Sequence, residues 1–179
     1  GAKAIGIAPV DSAGVAPAVT DAMSSGIPII AIDTGVSGAD VTSFVATDNY
    51  AVAKVQGAIA ATLVNDGDTV IYVTGNQAQS TGQERRNGFM EAFSAARPGS
   101  KILEVPTEWN SQQAQEGVEA VLNSNSDVKM VVNAWDGGTM GAKAALENLG
   151  YSAGDVKLVG FDGASDAIAA MDEGWVHAD

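Results

Sequence analysis

Three features of the sequence predict an α/β fold with doubly wound parallel sheets. Short runs rich in isoleucine and valine recur from end to end, and apolar residues at helical spacing fill most of the gaps between them. Polar residues gather where each apolar run stops. Strand, helix, strand, helix in that order implies parallel pairing with right-handed crossovers and helices on both faces of a sheet.

In chain order, the first run is AKAIGIAP (2–9). Val15, Val19 and Met23 follow as a helical stripe, and Pro17 sets the start of regular helix near itself, because proline is tolerated in a first turn but not beyond it. IPIIAID (27–33) and SFVATD (43–48) are the next two strands. Between them TGVSGADVT (34–42) is the only sizeable non-helical connection, glycine-rich but too short for a linker between domains. Val52, Val55, Ile59 and Leu63 form one stripe, expected to be the core-facing side of a helix. TVIYVTG (69–75) precedes a helix marked by Phe89, Phe93 and Ala96, and KILEVPTEW (101–109) precedes one marked by Ala114, Val118, Val121 and Leu122. VKMVVNAW (128–135) and VKLVGFDG (156–163) complete the series, and WVHAD (175–179) begins a further strand. NDGD, RPGS and YSAGD are turn-rich breaks after helices. The near-continuous apolar character of these runs fits strands covered on both faces.

Bulk properties narrow the function. A chain of 179 residues suits one large domain or two small lobes, and 46% hydrophobic residues are enough for a packed core. Nine Lys and Arg stand against 22 Asp and Glu, a formal charge of −13, which disfavours nucleic acid and anionic membranes as partners. The absence of cysteine removes thiol catalysis, disulfides and thiolate metal sites. No apolar run approaches the ~20 residues of a membrane span, and residues 1–30 lack the charged start, apolar middle and cleavage site of a signal peptide. The chain therefore reads as a soluble mature protein or part of one.

Ligands of open parallel sheets bind beyond the carboxyl ends of the strands. Those ends deliver Asp11, Asp33-Thr34, Asp48-Asn49, Thr74-Gly75-Asn76, Glu108-Trp109-Asn110, Trp135-Asp136 and Asp162-Gly163. Asp, Asn and Thr after a strand also cap the next helix, so Asp11, Asp48 and Asp136 fit capping as well as ligand contact. Asp33 precedes no immediate helix, and Gly163 lets another group approach beside Asp162, so ligand contact is the better reading for these two. A tryptophan at a strand end can cover the core. Two on the same edge, each flanked by polar residues, better fit a wall for a flat, half-apolar ligand. Carboxylates beside indoles suit a sugar or polyol, whose hydroxyls make charge-assisted hydrogen bonds and whose C–H face lies on an aromatic ring.

Enzyme motifs are missing: there is no G-x-S-x-G, P-loop, H-E-x-x-H or strand-linked G-x-G-x-x-G. WDGGTMGA has the glycines of a phosphate loop at a helix start but the spacing of neither standard fingerprint. His177 stands without a partner, and paired strand-end carboxylates alone do not make a glycosidase. No catalytic residue, metal ligand or cofactor is assigned.

The order of APVDSAGVAPAV, GIPIIAID, FVATDNYAVA, QERRNGFMEAF and VGFDGASDAIAAM resembles the periplasmic sugar-binding proteins of the ribose-binding type, the solute receptors of bacterial ABC importers. The resemblance runs the whole length. It implies two α/β lobes with sugar in the cleft between them, residues 1–47 belonging to the first lobe and 48–179 to a nearly complete second. Compared with the family, the chain lacks the first strand–helix units and the closing segment, and is expected to be part of a longer protein. The resemblance further implies a sugar-binding role for Asp33, Gln83 or Arg85, Trp109, Asp136 and Asp162. Thr34 stands where ribose-type members usually carry arginine, and Trp135 where they carry a ligand-binding asparagine. These departures, with Gln83, point away from ribose toward another neutral polyhydroxylated ligand. The implied partner is the membrane permease of an ABC importer, and the implied location is periplasmic or extracytoplasmic, lipid-anchored in a Gram-positive source. The same fold also serves as the ligand-sensing domain of LacI-type transcriptional repressors, which is the alternative role.

Overall fold

Every apolar run of the sequence forms a strand in the computed structural model, which describes residues 1–179. The elements are β1 (Ile5–Ile7), α1 (Ala16–Ser24), β2 (Ile29–Ile32), β3 (Ser43–Val45), α2 (Asn49–Thr62), β4 (Thr69–Val73), α3 (Ser80–Ala96), β5 (Lys101–Val105), α4 (Ser111–Ser124), β6 (Val128–Asn133), α5 (Asp136–Asn148), β7 (Lys157–Val159), α6 (Ser165–Asp172) and β8 (Val176–Ala178). They build two sheets, one of three strands in the order β1-β2-β3 and one of five in the order β5-β4-β6-β7-β8. Every strand pair is parallel.

The two-residue alternation of strands explains how the five-stranded sheet is covered on both sides. Val70 and Tyr72 of β4, with Met130 and Val132 of β6, meet Ala60 and Ala61 of α2 and Phe89 and Phe93 of α3. Ile71 and Val73, with Val131, point the other way onto Ala114, Val118 and Leu122 of α4 and Ala142, Ala145 and Leu146 of α5. Tyr72, Phe89 and Phe93 stack in sequence, with ring centroids 4.4 and 5.2 Å apart. Burying each such side chain contributes about 1.5–3 kcal/mol.

Local signals start the helices where the sequence places them. Pro17 lies in the first turn of α1. Asp48 accepts the Ala51 N–H at 3.0 Å as the cap of α2, and Asn110 accepts the Gln113 N–H at 3.0 Å as the cap of α4. Asp11 likewise turns back on its own loop, accepting the N–H groups of Ala13 and Gly14. For Asp11 and Asp48 the capping alternative is therefore the observed one.

The stripe on α2 is a correction. Val52, Val55 and Ile59 are 43, 58 and 42% exposed, while Ala53, Gln56, Gly57, Ala60 and Ala61 face inward. The cause is the close approach of α2 and α3. A Cβ on Gly57 would stand 2.8 Å from the Phe89 carbonyl oxygen, so the small residues must form the contact and the larger aliphatics turn outward. No helix is long and apolar enough to cross a membrane.

Candidate functional site

The order of the five-stranded sheet reverses at β4, with β5 on one side and β6 on the other. Loops leaving adjacent strands diverge at such a point and open a crevice at the strand ends. Here the crevice is a cleft of about 320 Å³ lined by Asp33, Thr34, Gln79, Thr81, Arg85, Trp109, Trp135 and Asp162. Asp33 and Thr34 follow β2 of the three-stranded sheet; the other six come from the five-stranded side.

Backbone strain marks the same place. Only three non-glycine residues have positive φ: Asp33 (63°), Trp109 (57°) and Asp162 (116°). Each sits just after a strand and lines the cleft. A side chain in this region costs roughly 1–3 kcal/mol, tolerated where surrounding structure fixes it and concentrated at functional sites.

Arg85 is the hub. It is 8% exposed. Its Nε donates to Asn49 Oδ1 at 2.9 Å, and its Nη1 donates to the Ala134 carbonyl at 2.7 Å and to Asp162 Oδ1 at 2.9 Å. The guanidinium lies 4.0 Å from the Phe161 ring centroid and 5.8 Å from that of Trp109. Its protein partners are all met through Nε and Nη1, and the Arg85 side chain lines the cleft. Burial raises the Asp162 carboxyl above its usual range, and the charge and hydrogen bond of Arg85 oppose that rise. Asp33 is held by hydroxyls: Thr34 Oγ1 donates to its Oδ2 at 3.0 Å, and Thr81 Oγ1 stands 3.2 Å from its carbonyl oxygen.

The two indoles meet edge to face, with centroids 5.3 Å apart and planes at 89°. Both rest on glycine backbone. A Cβ on Gly75 would collide with the Trp109 ring, and one on Gly138 would stand 2.7 Å from the Trp135 ring. Trp109 Nε1 also donates to Gln79 Oε1. Indoles seated this way form a fixed corner, half-buried and open on the cleft side.

Six of the eight residues singled out in the sequence thus come together: Asp33, Thr34, Arg85, Trp109, Trp135 and Asp162. Two do not. Gln83 is exposed and turns back to donate to the Gln77 carbonyl at 2.8 Å. Two positions apart on a helix are about 200° apart around its axis, so Gln83 and Arg85 cannot both face the cleft. Asp136 is 3% exposed and lies beneath the site, accepting the Ala164 N–H at 2.7 Å and the Phe161 N–H at 3.2 Å. It fixes the loop that carries Asp162 instead of lining the cleft. Asp179 lies close by: a Cβ on Gly160 would meet Asp136 Oδ1 at 2.7 Å and Asp179 Oδ1 at 2.8 Å. Burial first, and then Asp136, push the Asp179 carboxyl up to about 7. Gln79 and Thr81 line the cleft without having been singled out. The only available signal was their place in the polar stretch NQAQST, which runs from the loop after β4 into the first turn of α3.

Comparison with known proteins gives a consistent picture. The periplasmic binding protein domain family matches residues 1–179. The ribose import binding protein of Escherichia coli is 32% identical over 178 residues, covering 99% of this chain and 59% of that protein. The D-allose-binding periplasmic protein of Escherichia coli is 32% identical over 184 residues, covering 98% and 59%. Among solved structures, the Caulobacter myo-inositol binding protein bound to myo-inositol superposes with a TM-score of 0.92 at 27% identity, covering 98% of this chain and 61% of that one. A galactofuranose binding protein superposes at 0.93 and 26% identity, covering 99% and 63%. The chain spans 59% of the length of these two curated relatives.

Proposed function

The chain belongs to the periplasmic binding protein domain family, and from that premise we propose that it is the sugar-holding part of a non-catalytic solute receptor. The cleft takes a neutral monosaccharide or polyol and the receptor delivers it to the membrane permease of an ABC importer, in the periplasm or an equivalent extracytoplasmic space. Residues 1–47 contribute to one lobe and 48–179 form the other, with the ligand between Asp33 and Asp162.

The observation that carries this reading is the coincidence of all three positive-φ non-glycine residues on one cleft. Two are carboxylates on opposite sheets and the third is an indole. Carboxylates accept hydrogen bonds from hydroxyls, the Arg85 guanidinium donates to a ring or hydroxyl oxygen, and the indole corner receives C–H faces. Relatives that bind ribose, D-allose and myo-inositol support the substrate class.

Trp135 narrows the choice. An indole offers one N–H and a large apolar surface where an amide would offer both donor and acceptor. A ligand hydroxyl pressed against that surface would be unpaired, at a cost of about 1–3 kcal/mol. The preferred ligand therefore lacks a hydroxyl there or turns a C–H face to it. Calorimetric titration of the parent and of Trp135→Asn against ribose, allose, inositol and deoxy sugars tests this. Trp135→Asn should shift preference toward ribose-like ligands, and an unchanged ratio of affinities would make Trp135 a packing residue.

A further inference from the structure

The loop from β4 into α3 does more than line the cleft. Residues Ala78 to Thr81 belong by chain order to the five-stranded unit, yet all of them bond to the three-stranded one. Ser12 N–H donates to the Ala78 carbonyl at 2.9 Å, and Ser80 N–H donates to Ser12 Oγ at 2.9 Å. Gly35 N–H donates to Ser80 Oγ at 2.8 Å. Gln79 Nε2 donates to the Pro9 carbonyl at 2.8 Å, and the hydroxyls of Thr81 and Thr34 are 3.1 Å apart. Ser12 is 3% exposed, so its pairing is shielded from water. The covalent link between the units runs elsewhere, through the segment between β3 and α2.

From this geometry we infer that Ala78–Thr81 is a latch, and that Ser12 and Ser80 are positioning residues that set how long the cleft stays shut. The inference rests on the cleft-binding reading above. Neither serine lines the cleft, so neither is placed to recognise a ligand directly. Gln79 ties the latch to the site, because the amide that reaches Pro9 also accepts the Trp109 N–H. A ligand that steadies Trp109 therefore steadies the latch. Opening must break the whole set of bonds, whereas entry of ligand into an open cleft need break none. The latch accordingly acts on dissociation, the step in which affinity differences between related complexes usually lie.

Stopped-flow tryptophan fluorescence of the full-length protein, with the sugar that binds best in a screen of monosaccharides and polyols, separates the two rates. The double variant Ser12→Ala/Ser80→Ala should release ligand about tenfold faster without associating more slowly, and Ser80→Thr, which keeps the hydroxyl, should stay close to the parent. Unchanged release by the double variant overturns the latch. A second arm needs no sugar. Residues 1–179 contain no cysteine, so in this chain spin labels on Asp21→Cys and Glu116→Cys report only the spacing of α1 and α4. Removing both serine hydroxyls should move the ligand-free distance distribution toward longer values. If the double variant melts earlier but keeps the parent distribution, the serines are structural only and the inference fails. If the parent binds no sugar, the cleft reading fails, while the distance arm still decides the latch.

Discussion

The two sheets are built from the same parallel ladder, but they are covered very differently. In the five-stranded sheet every residue of β4 is buried, and both faces lie under helices. In the three-stranded sheet β2 alternates: Ile29 and Ala31 are buried, while Ile30 and Ile32 are 37 and 50% exposed. All of β3 is exposed, including Phe44 and Val45 at 47 and 61%. Strand propensity and pairing are therefore common to both, and within residues 1–179 cover is what distinguishes them. The well-covered sheet supplies a rigid platform for Arg85, Trp109, Trp135 and Asp162. The poorly covered one supplies a strand tip bearing Asp33, held by hydroxyl groups and by the loop at the start of α3.

Removing one aromatic ring from each sheet tests this difference in cover. Phe89→Ala empties a fully buried site between β4 and α3 and should cost about 3–5 kcal/mol. Phe44→Ala removes a half-exposed ring and should cost no more than about 1 kcal/mol. Denaturant titration of both variants measures this, and equal losses would mean that cover does not distinguish the sheets.

At the site, the rigidity of the platform depends on Gly75, which seats the Trp109 ring. An added methyl displaces the Trp109 ring, and overpacking of this kind costs about 1–3 kcal/mol. Gly75→Ala should shift the tryptophan emission maximum and weaken sugar binding about tenfold, an equilibrium change of ~1.4 kcal/mol. Unaltered emission and affinity would show that the indole is not fixed by its glycine seat.

A smaller effect follows from Asp179. Its folded-state carboxyl is raised to about 7 from an ordinary value of 3.8, so the folded chain holds a proton that the unfolded chain has released. The stability this group contributes is present below its ordinary value and is lost as pH rises toward about 7. Melting temperature should therefore fall over that window in the parent and fall less in Asp179→Asn. Parallel curves for the two proteins would rule out the raised Asp179 carboxyl.

Much of the fold was legible because both-face burial imposes an unmistakable sequence pattern. The runs around β4 and β6 are mostly apolar, and each is followed by a turn or cap residue. The exposed stripe of α2 was not legible, because hydrophobicity alone cannot reveal that Gly57 and its alanine neighbours must lie against α3. At the site, Asp33, Trp109 and Asp162 could be found because they end strands. Gln79 and Thr81 follow no apolar run and resemble any polar loop. Asp136 occupies a strand end just as Asp162 does, and only the backbone N–H groups of Phe161 and Ala164 explain why it is buried while Asp162 is presented to the cleft. Helix periodicity shows only that Gln83 and Arg85 cannot share a face; their contacts, Gln83 to the Gln77 carbonyl and Arg85 to Asp162, decide between them.

The proposed ligand, a neutral sugar or polyol, bridges Asp33 on one sheet and Asp162 on the other. Calorimetric titration of the parent, Asp33→Ala and Asp162→Ala with the best ligand of a monosaccharide and polyol screen tests it directly. Hydrogen bonds to charged groups contribute roughly 1.5–3 kcal/mol each, so each variant should bind at least tenfold more weakly while retaining a cooperative melting transition. A folded Asp33→Ala or Asp162→Ala variant that binds as tightly as the parent would contradict the bridge.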